Sequence, residues 1–124
     1  MTCADSSSFI AFIKGDRSPD VLMVAQTLAV NQLALAPVSV SELLSDPGLS
    51  PPLEQLIVGL PRLEITPGYW ERAGRLRALL MRHRLRPKIA DTLIAQSCLD
   101  YDVPLITRDQ DFQAFTKLVG LRLL

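Results

Sequence analysis

The sequence contains only two cysteines, Cys3 and Cys98. That excludes a disulfide scaffold and a four-cysteine zinc module. With no secretory signal visible, both are read as reduced core thiols of a cytosolic protein. The opening residues lack the basic start of a signal peptide. No apolar run approaches the ~18–20 residues of a membrane span. No Gly-x-Gly-x-x-Gly follows any expected strand, so a nucleotide-binding oxidoreductase has no support. Repeats and low-complexity tracts are missing as well. Nor does charge of one sign prevail: 13 Asp and Glu balance 13 Lys and Arg. An all-over basic coat for nucleic acid is thereby excluded, while a local basic face is not.

What remains is an ordinary globular composition. Of 124 residues, 48% are hydrophobic and 21% charged, which fits one soluble domain over residues 1–124. Proline and glycine punctuate the chain informatively. Residues 3–5 read as the end of a short buried strand, and residues 9–13 as a short helix. Ser18-Pro19-Asp20 is a helix start, with a side-chain cap, a proline at the first helical position and an acid on the dipole. Residues 33–38 read as a strand, 39–44 as a serine-capped helix and 50–57 as another helix. Residues 63–65 form an expected strand. Thr66-Pro67 opens a long helix to about residue 84, with Tyr69, Ala73, Leu76, Leu80 and His83 on one face. Pro87 opens the next helix, with Ala90, Leu93, Ile94, Ser97 and Tyr101 as its buried face. Residues 105–107 read as a strand, 110–115 as a helical turn and 119–124 as a last strand. Strands alternating with helices predict an α/β fold, a mainly parallel sheet covered by helices on both faces.

Parallel sheets carry their chemistry beyond the carboxyl ends of the strands. Asp5 directly follows the first strand. Glu42 sits one helical turn beyond the second, and Asp109 lies two residues past residues 105–107. Asp91 falls in the opening turns of the preceding helix. Right-handed crossovers can make these strand ends neighbours, so four distant carboxylates would converge. Several carboxylates within ~5 Å cannot all ionise in a partly buried pocket without a cation or protonation. Mg²⁺ or Mn²⁺ suits such an all-oxygen site. The hydroxyls of Ser6, Ser7 and Thr107 stand where they could orient carboxylates or waters. Any one of these acids alone reads more readily as a cap, Asp91 above all, since the helix dipole favours it there.

Four segments resemble the PIN domain family, and most of all the small VapC-type toxins of toxin–antitoxin pairs. Cys3-Ala-Asp-Ser-Ser-Ser8 resembles the opening strand that ends in Asp-Thr/Ser-Ser/Asn. Val38-Ser-Val-Ser-Glu-Leu-Leu44 resembles the second motif, with Glu42 as its acid. Ile89-Ala-Asp-Thr-Leu-Ile-Ala95 resembles the third. Leu105-Ile-Thr-Arg-Asp-Gln-Asp-Phe112 resembles the fourth, Thr-x-Asp-x-Asp-Phe. The resemblance implies a five-stranded, mainly parallel sheet in a three-layer α/β/α sandwich. It implies a Mg²⁺- or Mn²⁺-dependent ribonuclease that hydrolyses RNA by metal-activated water. Asp5, Glu42, Asp91 and Asp109 would be its catalytic acids, with Asp5, Asp91 and Asp109 holding the ion. Asp111 is the rival fourth acid but is expected to cap the 110–115 turn. A small antitoxin is implied as partner, wrapping a groove around Phe9, Phe12 and Val24, and a homodimer is implied as well.

Seven of the 13 basic residues lie between Arg72 and Lys88. Arg72, Arg75, Arg82 and Arg86 are expected to share a helical face: a phosphate-binding surface, a solvated one, or a contact with an acidic partner. His83, the only histidine, is expected at a helix end at the core margin, and Trp70 in packing or a subunit contact. The competing readings are a non-catalytic PIN-like binding or regulatory module and a metal-dependent DNase or phosphatase. The carboxylates would look the same for the latter, because RNA is told from DNA by contacts to the 2′-OH.

Overall fold

A computed structural model describes all residues, 1–124. Its sheet has three parallel strands, β1 (Thr2–Ala4), β2 (Leu33–Ala34) and β3 (Leu105–Ile106), in the order β2-β1-β3. Thr2 pairs with Leu33, Cys3 with both Ala34 and Leu105, and Ala4 with Ile106. The chain is an α/β fold with a parallel sheet and seven α-helices.

The expectation of five strands is corrected to three. In place of the expected strand over 63–65 there is one parallel bridge just before it, Arg62 to Leu35, and residues 119–124 make one, Leu123 to Leu105. At the first, the Leu35 N–H donates to the Pro61 carbonyl and the Leu63 N–H to the Leu35 carbonyl. The chain then leaves for the next helix, so no second pair forms. At the other edge, residue 119 still belongs to a helix. That helix ends on Gly120, whose φ of 75° lies in the left-handed region that glycine enters without strain.

The helices explain the other shortened strand. The expected strand over 33–38 stops at β2 because Pro37 is the first residue of a helix. It opens α3 (Pro37–Leu44) from an extended Ala36. Ser39 therefore lies inside that helix, buried, and is not its cap. The remaining helices are α1 (Ser6–Ile13), α2 (Pro19–Ala29), α4 (Pro51–Gly59), α5 (Tyr69–Arg82), α6 (Ile89–Tyr101) and α7 (Gln113–Val119). Ser18-Pro19 and Ser50-Pro51 do open α2 and α4 as expected, although neither serine hydroxyl caps its helix. α5 starts later than expected, at Tyr69, because Gly68 takes φ 82°.

Two hydrophobic cores lie on opposite faces of the sheet, as the period of two along a strand requires. Cys3, Ala34 and Leu105 face one core, with Leu76 and Leu80 of α5, Ile94 and Cys98 of α6, and Phe115 of α7. Ala4, Leu33, Leu35 and Ile106 face the other, with Phe9 of α1, Val24 of α2, Val40 and Leu43 of α3, and Ile57 of α4. The sheet is thus the middle layer. Its carboxyl edge is where β1 runs into α1 and where β3 runs into a short 3₁₀ turn, Gln110–Phe112.

Candidate metal centre

Asp5 ends β1 and occupies the N-cap position of α1, yet its carboxylate caps nothing. Instead Oδ2 accepts hydrogen bonds from the Ser7 hydroxyl at 2.7 Å and the Thr107 hydroxyl at 2.9 Å. The second contact joins residues 102 apart in sequence, so the end of β3 fixes the orientation of the acid after β1. Asp5 is buried. Ser6 donates to Glu42 Oε1 at 2.8 Å, tying the second acid of α3 to the same turn. Glu42 itself is solvent-exposed.

Asp91 lies in the first turn of α6, and the helix carries no side-chain cap. Its carboxyl is pushed up to about 6. Burial is the largest cause, followed by the charges of Asp5 and Asp109, with Asp111 adding to them and Lys88 opposing. Burial and crowding by like charges thus act in the same direction. Asp91 therefore stands in the field of three other aspartates. Carboxylate oxygens of Asp91, Asp109 and Asp111 lie within 4.8 Å of one another.

The two acids of the last loop exchange the roles expected of them in one respect. Asp109, not Asp111, is the cap: its Oδ1 accepts the Asp111 N–H at 2.9 Å at the start of the 3₁₀ turn. Asp111 is exposed and turned into the cluster. A side-chain oxygen two residues before an N–H closes this turn with little strain, whereas Asp111 already lies within the turn. Thr107 serves both sides, donating to Asp5 and accepting from the Asp109 N–H at 3.0 Å.

Arg108, between Thr107 and Asp109, was not singled out by the sequence. Its Nε donates to Asp20 Oδ2 at 2.8 Å and its Nη2 to Asp16 Oδ2 at 2.8 Å. Ser8 and Ser18 also donate to the buried Asp20. The Arg108 hydrogen bond is the main reason Asp20 stays well below the usual carboxylate range, against the opposing effect of burial. This clasp anchors the acidic loop to the start of α2. Asp20 was legible only as a helix-start acid, and no local pattern tied it to residue 108.

The expected basic face is revised. Arg72 is occupied: Nε and Nη2 grip Asp100 at 3.0 and 2.6 Å, and the guanidinium also reaches Thr66 and the Pro67 carbonyl. Arg86 lies beyond the end of α5 and so is not on its face. Arg75 and Arg82 remain exposed on the helix. His83 is the exposed C-cap of α5, and Trp70 is exposed beside the buried Tyr69. Tyr101 is exposed too, contrary to the expected buried face, and its hydroxyl donates to the Glu64 carbonyl at 2.7 Å. Phe9 and Val24 are fully buried, so they cannot line an open groove; of that trio only Phe12 is partly accessible.

The donor set fits a hard divalent cation. It is made of carboxylate oxygens only, with more negative charge than Lys88 offsets, and one member is already pushed toward protonation. No helix is long and apolar enough to cross a membrane. A search of curated proteins finds no match to the chain. The family model for the PIN domain matches residues 2–118, from the first residue of β1 to the last turn of α7. That span includes all five aspartates and glutamates of the site, and its members are typically nucleases. A parallel sheet with acids gathered at its carboxyl edge, matched over nearly its whole length, makes this chain a member of the PIN domain family.

Proposed function

We propose that the protein is a metal-dependent ribonuclease, hydrolysing RNA phosphodiesters with Mg²⁺ or Mn²⁺ at Asp5, Asp91 and Asp109. Glu42 completes the acidic set through its link to Ser6, and Asp111 is close enough to share the ion. The observation that carries this reading is the gathering of Asp91, Asp109 and Asp111, whose carboxylate oxygens lie within 4.8 Å of one another, with Asp91 pushed up by burial and by the neighbouring aspartates. A bound divalent cation supplies the charge that lowers the pKa of a water and offsets the charge of a phosphate oxygen. The residues around it do the positioning. Ser7 and Thr107 both hold Asp5 by Oδ2. Arg108 holds the Asp109 loop against α2. Arg75, Arg82, Arg86 and Lys88 are exposed cations available for RNA phosphates, without Arg72.

The role proposed for such a nuclease is the toxin of a type II toxin–antitoxin pair. It would act in the cytoplasm as a homodimer and be neutralised by a small antitoxin protein. Two buried free thiols suit a reducing compartment. An exposed Trp70 beside Pro37, Val38 and Ile65 supplies an apolar surface for a protein contact.

The test is Mn²⁺ calorimetry on the wild type, Asp5→Asn and Asp91→Asn, each first shown to be folded by circular dichroism. Saturable binding in the wild type and its loss in both variants is expected, with RNA cleavage lost in parallel. A wild type that binds no Mn²⁺ would replace this reading with a non-catalytic PIN-like module. Cleavage of DNA but not RNA would leave the metal site standing and overturn the substrate.

A further inference from the structure

A cavity of about 280 Å³ opens beside the acidic centre. Asp111 belongs to both, lining the cavity and lying within 4.8 Å of Asp91 and Asp109. Leu85, Pro87 and Ala114 give the cavity apolar walls, and Arg86 and Gln110 give it two polar groups. Unlike Arg72, Arg108 and Arg122, Arg86 forms no ion pair within the protein. The Gln110 amide is likewise free of protein hydrogen bonds and exposed. The wall between α5 and α6 is built rather than loose. Arg84 turns the chain at φ 62°, the Leu85 N–H returns to the Leu80 carbonyl at 3.1 Å, and Arg77 Nε donates to the Pro87 carbonyl at 3.0 Å.

Size and chemistry together select the occupant. The volume lies just below the usual range of about 300–1,000 Å³ for ligand pockets, and equals about nine waters at ~30 Å³ each. That admits one flat heterocycle and not a run of nucleotides. Apolar walls suit its faces. The Gln110 amide offers both a donor and an acceptor to its edge. Arg86 supplies the cation for an attached phosphate. RNA is recognised mainly through unstacked bases inserted one by one into such places.

We infer that this cavity is a nucleobase subsite, receiving the base of a nucleotide next to the phosphate held at the acidic centre. This rests on the ribonuclease reading and adds to it a specificity determinant, with Gln110 reading the base and Ala114 and Leu85 limiting its size.

The experiment is ¹H–¹⁵N NMR of the whole chain titrated separately with AMP, CMP, GMP and UMP, and with ribose 5-phosphate as the base-free control. The monophosphates are expected to shift the amides of Leu85, Gln110 and Ala114, one base binding several-fold better than the others. Ribose 5-phosphate, which can reach Arg86 but carries no base, is expected to leave the Gln110 and Ala114 amides unmoved. Ala114→Phe, which fills the cavity, and Leu85→Glu, on an exposed turn, should each abolish the response. Gln110→Ala should bring the several-fold preference between bases close to one while the monophosphates still bind. Equal shifts from ribose 5-phosphate would overturn the inference in favour of a phosphate site alone. Efficient RNA cleavage with unmoved cavity amides would overturn it while the ribonuclease reading survives. Base-selective binding by a protein that binds no Mn²⁺ would leave the subsite supported and the nuclease reading refuted.

Discussion

Replacing Asp91 by Asn should make the metal-free protein more stable while removing its response to metal. Asp91 is raised from 3.8 to about 6 by burial and by Asp5, Asp109 and Asp111. Between those two values the folded state holds a proton that the unfolded state has released. Stability therefore falls as pH rises from about 4 to about 6, and the full cost is present above about pH 7. The shift corresponds to about 3 kcal/mol. Asp91 is only partly buried, so solvent screening brings this to about 1.5 kcal/mol. Asparagine keeps the shape and carries no charge, so Asp91→Asn should gain about that amount, or a Tm higher by about 5 °C for a domain of this size. Urea and thermal unfolding in EDTA at about pH 7.5 measure it, and the gain should shrink toward zero near pH 4. Added Mn²⁺ should then stabilise the wild type by mass action and not the variant. A variant no more stable than wild type in EDTA, or a gain independent of pH, would refute the electrostatic account of the site.

The Arg108 clasp should act in the opposite pH direction. Asp20 is held below its ordinary value, chiefly by Arg108, so its contribution is present above about pH 4 and is lost as pH falls below that. Asp20→Ala leaves Ser8 without its acceptor and Arg108 with Asp16 and Ser18 alone, and should cost about 2 kcal/mol in urea unfolding at neutral pH, with a smaller cost in acid. The arginines of α5 should divide. Arg75→Ala and Arg82→Ala should each weaken RNA binding uniformly across sequences and lower the log–log salt slope by about one. Arg72→Ala should leave that slope unchanged in fluorescence-anisotropy titrations, because Asp100 already occupies its guanidinium.

The elements legible in the sequence are those with local causes. Ser18-Pro19 and Ser50-Pro51 start helices because proline suits the first helical position in any fold. The apolar stripe of Tyr69, Ala73, Leu76 and Leu80 is buried as its spacing requires. The errors have non-local causes. Pro37 ends a strand and begins a helix equally well, and only the path of the chain decides which. Residues 63–65 and 119–124 have strand-like composition, yet each finds one sheet contact before the chain departs. The first-strand acid was readable because Asp5 immediately follows a buried run. The exchange of roles between Asp109 and Asp111 was not, because both can cap and only the turn's geometry separates them. Arg108 was invisible for a simpler reason: its partners lie 88 and 92 residues away.

Cys3 and Cys98 share one core, one in the central strand and the other on α6. The neighbouring Cys3 thiol, together with burial, holds the Cys98 thiol well above its ordinary value, so it is not poised as a nucleophile. Because both are buried, the two sulfurs make an internal clock. β1 has a hydrogen-bonded neighbour on each side, so Cys3 can meet an alkylating reagent only when the sheet itself comes apart. The rate at which the thiols are modified thus times the opening of the same strand that ends in Asp5, and reports how long the acidic edge stays assembled.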